Sequence, residues 1–299
     1  MVTSSIVICT RNRKQDLLHC LQSIIKQTQQ PQELIIVDSS DSPLYRDPEF
    51  THFFVPAHFG SISLHYIHSA PGLTYQRNIG IGLAKQEIIF FIDDDVFLEA
   101  TYVQEMLAVF GSCPNYAGGM GAVTNIPPKI GGWQRAVRTS FALQRDYASG
   151  NFTWSGMPTH AYGKEQFQEV EVLGGCNMAF RTHVLRKHRF DEKLVRYAFM
   201  EDCDMSYRVS REYPLFYNPK ARLQHFNSPL ARDKVIDNRA MVVKNYSYLF
   251  FKNFYPTNKL RVVGYAWSMT GLFVEAVLIR NKEYVKGYVK GLREFLNHC

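Results

Sequence analysis

The signatures that most quickly place a chain of this size are missing here. No G-x-G-x-x-G follows the first apolar run and no G-x-x-x-x-G-K-[ST] occurs anywhere, which weighs against a dinucleotide-dependent oxidoreductase and a P-loop enzyme. The six cysteines, Cys9, Cys20, Cys113, Cys176, Cys203 and Cys299, show no C-x-x-C spacing, so neither a metal ribbon nor a disulfide framework is indicated. The N-terminus enters a β-branched run without a charged-then-apolar leader, and no apolar stretch reaches the about 20 residues of a membrane span. These absences predict a reducing, cytoplasmic setting.

What is present is a large apolar reserve: 299 residues, 46% hydrophobic and 14% aromatic, enough for one large α/β domain with or without an appendage. The net charge of +7 is unevenly placed. Residues 1–180 hold 12 Lys and Arg against 16 Asp and Glu, whereas residues 181–299 hold 22 against 11. A basic C-terminal third suits an anionic partner, for which nucleic acid, acidic lipid headgroups and phosphorylated substrates all qualify.

The chain is organised around Glu87–Asp95, where five apolar residues run into three consecutive carboxylates. That pattern predicts a strand buried on both faces with three negative charges at its C-terminal end. Adjacent carboxylates repel, so the cluster suits a hard divalent cation such as Mg²⁺ or Mn²⁺. The competing reading is a solvated acidic turn capping a helix near Glu99.

Before this stretch, β and α patterns alternate. Strands are expected at Ser4–Cys9, Leu34–Val37 and His65–His68, with helices from Lys14 to Ile25 and from Thr74 to Lys85 and a loop with one short helix over 42–63. Alternation of this kind predicts a parallel, doubly wound sheet, whose ligands bind beyond the C-terminal strand ends, where Thr10, Arg11, Asp38 and Asp93 to Asp95 would converge. Arg77, near the start of a helix leading into the acidic strand, suits a diphosphate.

Farther on, a strand near Gly121–Thr124, a helix over 133–147 and a long mobile loop over 148–169 are expected. Val170–Phe180 reads as one strand interrupted by Gly174-Gly175, marking a bulge or a close ligand approach. A helix opens at Glu201-Asp202-Cys203-Asp204, on which Glu201 and Asp204 would share a face and Asp202 point elsewhere. His225 ends a strand-like run before a turn signal, Asn227-Ser228-Pro229.

Six of these segments, taken in order, resemble the inverting family 2 glycosyltransferases with the GT-A fold: Ile6–Arg13, Ile35–Ser40, Gln76–Gly80, Asp93–Asp95, Leu173–Met178 and Glu201–Asp204. The likeness covers about residues 3–230 and implies a mostly parallel Rossmann-like sheet with flanking helices, with 1–232 as catalytic domain and 233–299 as a helical appendage. By the same resemblance, Thr10, Arg11 and Asp38 serve the base and ribose, Arg77 the diphosphate, Asp93 and Asp94 the donor, and Asp93, Asp95 and His225 the metal. Gly174, Gly175 and Asn177 line the sugar and acceptor side, and Asp202 is the general base with Glu201 beside it.

The chemistry agrees with those roles, since a departing nucleoside diphosphate needs cationic stabilisation and an attacking hydroxyl needs a base on the opposite face. The expected cofactor is Mn²⁺ or Mg²⁺. The expected partners are a nucleotide-sugar donor and a polysaccharide, glycan or lipid-linked glycan acceptor, with no nucleic acid. A nucleotidyltransferase is the alternative, although Cys9–Lys14 contains no glycine for its phosphate loop; a non-catalytic nucleotide-sugar binder would not need Glu201-Asp202 or His225. Residues 283–296 form a basic amphipathic stripe, read as a peripheral contact with the inner membrane face or as a helix packing back on the protein.

Overall fold

The computed structural model describes residues 2–126, 131–145, 148–226, 228 and 234–297. Its centre is a nine-stranded sheet in the order β3-β2-β1-β4-β8-β6-β9-β5, with β7 paired to β9. The strands are β1 (Ser4–Thr10), β2 (Glu33–Asp38), β3 (Ser63–His68), β4 (Ile88–Phe91), β5 (Val96–Leu98), β6 (Gly118–Val123), β7 (Gln168–Val170), β8 (Met178–Arg181) and β9 (Leu215–His225). β1 to β4, β6 and β9 run one way, and β5, β7 and β8 the other.

Strand alternation divides the core into two layers. Ile6, Ile8, Leu34, Ile36, Ile88 and Phe90 face α1 (Lys14–Ile25) and α5 (Tyr102–Ser112), while Val7, Ile35, Val37, Ile89 and Phe91 face the other side. That second layer includes Ile81 of α4 (Leu73–Leu83), Val184 and Leu185 of α7 (Thr182–Lys187) and Met205 and Val209 of α8 (Glu201–Ser210). All four residues of β4 are buried; each contributes about 1.5–3 kcal/mol of transfer free energy, so this strand cannot easily leave the centre.

Several expectations give way to the structure. Residues 42–63 hold a 3₁₀ turn (Leu44–Arg46) and two short helices, α2 (Pro48–Phe53) and α3 (Pro56–Phe59), each begun by a proline at its first position. Asp95 does not cap a helix, because β5 follows it directly and α5 begins only at Tyr102. The helix expected over 133–147 is α6 (Gly132–Ser140); its expected last residues, 146 and 147, lie outside the described ones, as do Asn227, Pro229 and Cys299.

The described part of 148–167 is packed irregular chain, not a mobile loop. Ser155, Met157, Thr159, His160 and Ala161 are buried, and bridges join Arg145 to Thr159 and Phe152 to Pro158. Val170–Phe180 is not one bulged strand either. β7 pairs with β9 and β8 with β4 and β6, so the glycine pair lies in the connection between two strands of different partners.

Beyond β9 come α9 (Val235–Leu249), a π-helical turn (Phe250–Phe254), α10 (Arg261–Leu278) and α11 (Lys282–Leu296). They share a third core with the preceding chain, in which Val243, Leu249, Met269, Leu272 and Tyr288 meet Met157, Val172, Leu194, Met200 and Cys203. Much of the α11 stripe is therefore turned inward. Gly287 and Gly291 lie against the backbone of α9, and Tyr288 is buried, while Val289 and Leu296 stay exposed. Among the described residues no helix is long and apolar enough to cross a membrane.

Candidate active site

Parallel register aligns the C-terminal ends of β1 and β2, with Thr10 opposite Asp38 and Cys9 opposite Val37. Gln76 of α4 stitches them together: its Nε2 donates to the carbonyl oxygens of Val37 at 2.7 Å and Thr10 at 3.3 Å, and its Oε1 accepts from Ser39. The carboxylate of Asp38 turns into the protein, accepting from the Ser40 and Leu44 amides and from the Tyr66 hydroxyl at 2.5 Å. It therefore shapes the loop that follows β2 and does not line the cavity.

The acidic triplet divides its work by side-chain direction. Asp94 accepts from the Thr10 hydroxyl at 2.7 Å and from Arg13 at 3.0 Å, tying β4 to the loop after β1. Asp93 faces Arg77 at 3.3 Å. Asp95 accepts from the Ser228 amide, and its Oδ1, buried without a hydrogen bond of good geometry, stands 3.1 Å from His225 Nε2.

The meeting of Asp95 and His225 is a consequence of sheet geometry. β9 slips register against β6 between Gly121, opposite Asn218, and Ala122, opposite Arg222. This irregularity lets the end of β9 pair with β5, Val96 opposite His225, which sets the imidazole beside the triplet. One ligand atom from each of Asp93, Asp95 and His225 lies within 4.8 Å of the others.

Burial raises Asp93, with Arg77 opposing, and raises Asp94 to about 7 against Arg13 and Thr10. Burial also works to raise Asp95, but the His225 contact outweighs it and holds Asp95 below the usual carboxylate range. For His225, burial disfavours the imidazolium, yet Cys176 and Asp95 outweigh it and hold the ring up to about 11. Arg77 and Arg13 bring fixed positive charge to these carboxylates.

Arg77 is among the most buried side chains of the protein. It is ion-paired with Glu201, donates to the Gly175 carbonyl at 2.9 Å, and lies over the rings of Phe91 and Phe190. Asp202 sits beside this pair at the start of α8, its Oδ2 accepting from the Gly175 amide and its Oδ1 from the Cys203 amide, both at 2.8 Å. Burial and the Asp202 charge raise Glu201 to about 8, against the pull of Arg77. The chain enters α8 through Met200 in the left-handed region, φ 71°, which turns Glu201 and Asp202 together toward the cavity. Glu201 and Asp204 do not share a face: Asp204 points away, to Arg208, Lys252 and Asn253.

These groups surround one cavity of about 760 Å³. Of the expected residues, Thr10, Arg11, Arg77, Asp93, Asp94, Gly175, Glu201, Asp202 and His225 line it, with Arg11 at its edge pairing with Asp41. Asp95 lies behind Asp93 and His225, and Asp38, Gly174 and Asn177 are not part of the lining. Asn177 instead donates to the Gly121 carbonyl and receives the Tyr102 hydroxyl on its backbone oxygen. Sequence reasoning did not single out Arg13, Gln76 or His160, which also line the cavity. Arg13 and Gln76 adjoin the expected motifs; His160 carries no local signal. Cys9 lines it too, and burial pushes that thiol up to about 12, which keeps it protonated.

The chain is similar to several known proteins. A glucosyl-dolichyl phosphate glucuronosyltransferase of Haloferax volcanii is 24% identical over 273 residues, covering 87% of this chain and 76% of that protein. Among solved structures, Staphylococcus aureus TarS superposes with a TM-score of 0.60 at 13% identity (98% of this chain, 80% of the other). The mannosyltransferase PcManGT of Pyrobaculum calidifontis, crystallised with GDP-Man and Mn²⁺, gives 0.57 at 13% (97% and 84%). GalNAc-T7 with UDP, GalNAc and Mn²⁺ gives 0.59 at 17%, this chain covering 87% of itself but only 51% of that one. These likenesses establish the GT-A fold, and with residues 5–189 matching Glycosyl transferase family 2, the chain belongs to that family and is a glycosyltransferase.

Proposed function

We propose that the protein transfers a sugar from a nucleotide-diphosphate sugar to a hydroxyl acceptor with inversion, in dependence on Mn²⁺ or Mg²⁺. The observation that carries this reading is the pairing, around one cavity, of an Asp93–Asp95–His225 ligand set with a separate carboxylate, Asp202, held by two backbone amides. The donor set fits a divalent cation: two carboxylates and an imidazole converge, and the buried Oδ1 of Asp95 faces His225 at 3.1 Å. When bound there, the metal would neutralise charge on the diphosphate.

The protein's own groups supply the rest. Arg77, held between Glu201 and Asp93, presents a fixed positive charge toward the leaving diphosphate without having to reorganise. Asp94 and Thr10 hold the donor-side wall, and Arg11 at the edge serves the base and ribose. Asp202 takes the proton of the acceptor hydroxyl as that oxygen bonds to the anomeric carbon and the bond to the diphosphate breaks. The protonated Cys9 thiol is no nucleophile, in keeping with a single displacement.

On this reading residues 1–232 form the catalytic unit and 233–299 a helical segment sharing the third core with it. The Haloferax protein's name describes a lipid-linked acceptor, and a lipid-linked glycan is proposed here as well. α10 would provide the peripheral membrane contact, since Val263, Trp267, Val277 and Leu278 are exposed along it.

A panel of nucleotide sugars with Mn²⁺ will identify the donor by thermal stabilisation, because a ligand of the folded state raises apparent stability with occupancy. With that donor, Asp202→Asn is expected to keep donor affinity and lose ~10²- to 10⁴-fold in kcat, with Glu201→Gln losing less. Full turnover in Asp202→Asn would place the base elsewhere.

A further inference from the structure

In the same cavity Asp202 has a neighbour that the family resemblance did not bring in. His160 is buried, lines the same cavity, and places a ring nitrogen within 4.8 Å of an Asp202 carboxylate oxygen. Its backbone is fixed on both sides, the amide donating to the Arg145 carbonyl at 3.0 Å and the carbonyl accepting from the Ala148 amide at 2.9 Å. Its ring stacks on Tyr162, centroids 5.2 Å apart and planes 19° from parallel.

The glycine pair explains how both groups are held. Tyr162 can back the imidazole only because its hydroxyl passes directly over Gly174, where any β-carbon would collide with it. At Gly175 a β-carbon would stand 3.0 Å from Glu201 and 3.3 Å from Asp202, so this glycine lets the carboxylates close on its amide. One residue of the pair thus seats the histidine's support and the other seats the base.

The cluster of His160, Asp202 and Cys203 could be read as a second metal site, but its chemistry argues otherwise. Both Asp202 oxygens already accept backbone N–H groups, and burial pushes the Cys203 thiol well above its ordinary range, so it does not offer a thiolate. A hydroxyl fits better: one oxygen bonded at about 2.8 Å to each of two atoms near the tetrahedral angle spans about 4.6 Å, within the 4.8 Å limit found here.

We propose that His160 is a second acceptor-holding residue, its imidazole N–H donating to the acceptor oxygen while that hydroxyl donates its proton to Asp202. The oxygen keeps one lone pair for attack on the anomeric carbon. As the new bond forms, the proton passes to Asp202 and the electrons of the broken bond leave with the diphosphate. His160 takes no proton; it fixes the direction in which the lone pair points. This inference rests on Asp202 as the base.

The test uses the full chain, Mn²⁺, the donor identified by stabilisation, and water as the attacking hydroxyl, read as donor hydrolysis. His160→Ala is expected to lower kcat ~10- to 100-fold while donor KM, and donor affinity by calorimetry, stay within about twofold. His160→Gln, which retains an N–H donor and much of the buried volume, is expected to recover part of the loss and guards against a folding defect in the alanine variant. Hydrolysis by His160→Ala within twofold of the unmodified protein overturns the proposal, as does an equal loss of donor affinity in both variants. Asp202→Asn run in parallel separates the two claims: full turnover there removes the base on which this rests, whereas an impaired Asp202→Asn with normal His160 variants removes His160 alone.

Discussion

Replacing Gly287 and Gly291 by alanine gives opposite signs for the two uses of the last helix. In a helix lying free on a surface, each Gly→Ala change would stabilise by about 1 kcal/mol through backbone entropy. Packed as found, a β-carbon at Gly287 would stand 2.5 Å from the Arg239 β-carbon and 2.7 Å from the Ile236 carbonyl oxygen, and one at Gly291 would strike the Ala240 carbonyl. Those neighbours are backbone or backbone-proximal and cannot swing away, so each site should incur overpacking of about 1–3 kcal/mol. After the helix gain of about 1 kcal/mol at each site, the double variant is expected to lose up to about 4 kcal/mol. For a chain of this size, about 2 °C per kcal/mol, the melting temperature should fall by up to about 8 °C. Differential scanning calorimetry and urea unfolding check this, with hydrogen exchange along α11 showing that the weakening is local. A rise in melting temperature would refute the packing argument and return α11 to the surface.

Asp95→Ala should abolish Mn²⁺-dependent binding of a nucleoside diphosphate in calorimetric titration, and His225→Ala should weaken it roughly 10- to 100-fold, as losing a supplementary ligand does; unchanged affinity in Asp95→Ala would remove it from the metal set. Lys252 bridges Asp191 and Asp204 at 2.7 and 2.8 Å, so Lys252→Met is expected to cost about 1–3 kcal/mol in urea unfolding at pH 7 because a buried carboxylate loses a partner. Burial works to raise Asp191, but Lys252 and Tyr248 hold it below the ordinary range. Its contribution is therefore full above the unfolded carboxylate pKa and lost as pH falls through the folded value, so the gap between Lys252→Met and the unmodified protein should narrow toward pH 3; a gap constant with pH would assign the loss to packing. Val263→Asp combined with Trp267→Asp in α10 should reduce flotation with anionic vesicles without lowering donor hydrolysis, and unchanged flotation would move the contact elsewhere.

Much of the fold was legible locally. β1, β2, β4, α1 and α4 sit where apolar period and polar breaks put them, because those periods report directly which face of an element is buried. The acidic triplet and Glu201-Asp202 also announced themselves, since unpaired carboxylates at element ends are costly without a use. Arg77 was identified by type, but its depth was not, because burial of an arginine depends on partners distant in sequence, Glu201 and Gly175 above all.

The sequence by itself determined the parallel half of the sheet, the carboxylates at its edge and the family to which the chain is similar. Only the tertiary structure decided which of these groups meet. Asp38 turns inward to Tyr66, and Gly174 and Asn177 serve packing behind the cavity wall. Asp95 reaches His225 because β9 slips register and crosses to β5, and His160 reaches Asp202 because an irregular stretch folds over the glycine pair. Periodicity along a chain records whether a side chain is buried, but not against what, and each of these contacts joins residues separated by tens to more than a hundred positions, where packing of the whole sheet selects the partner.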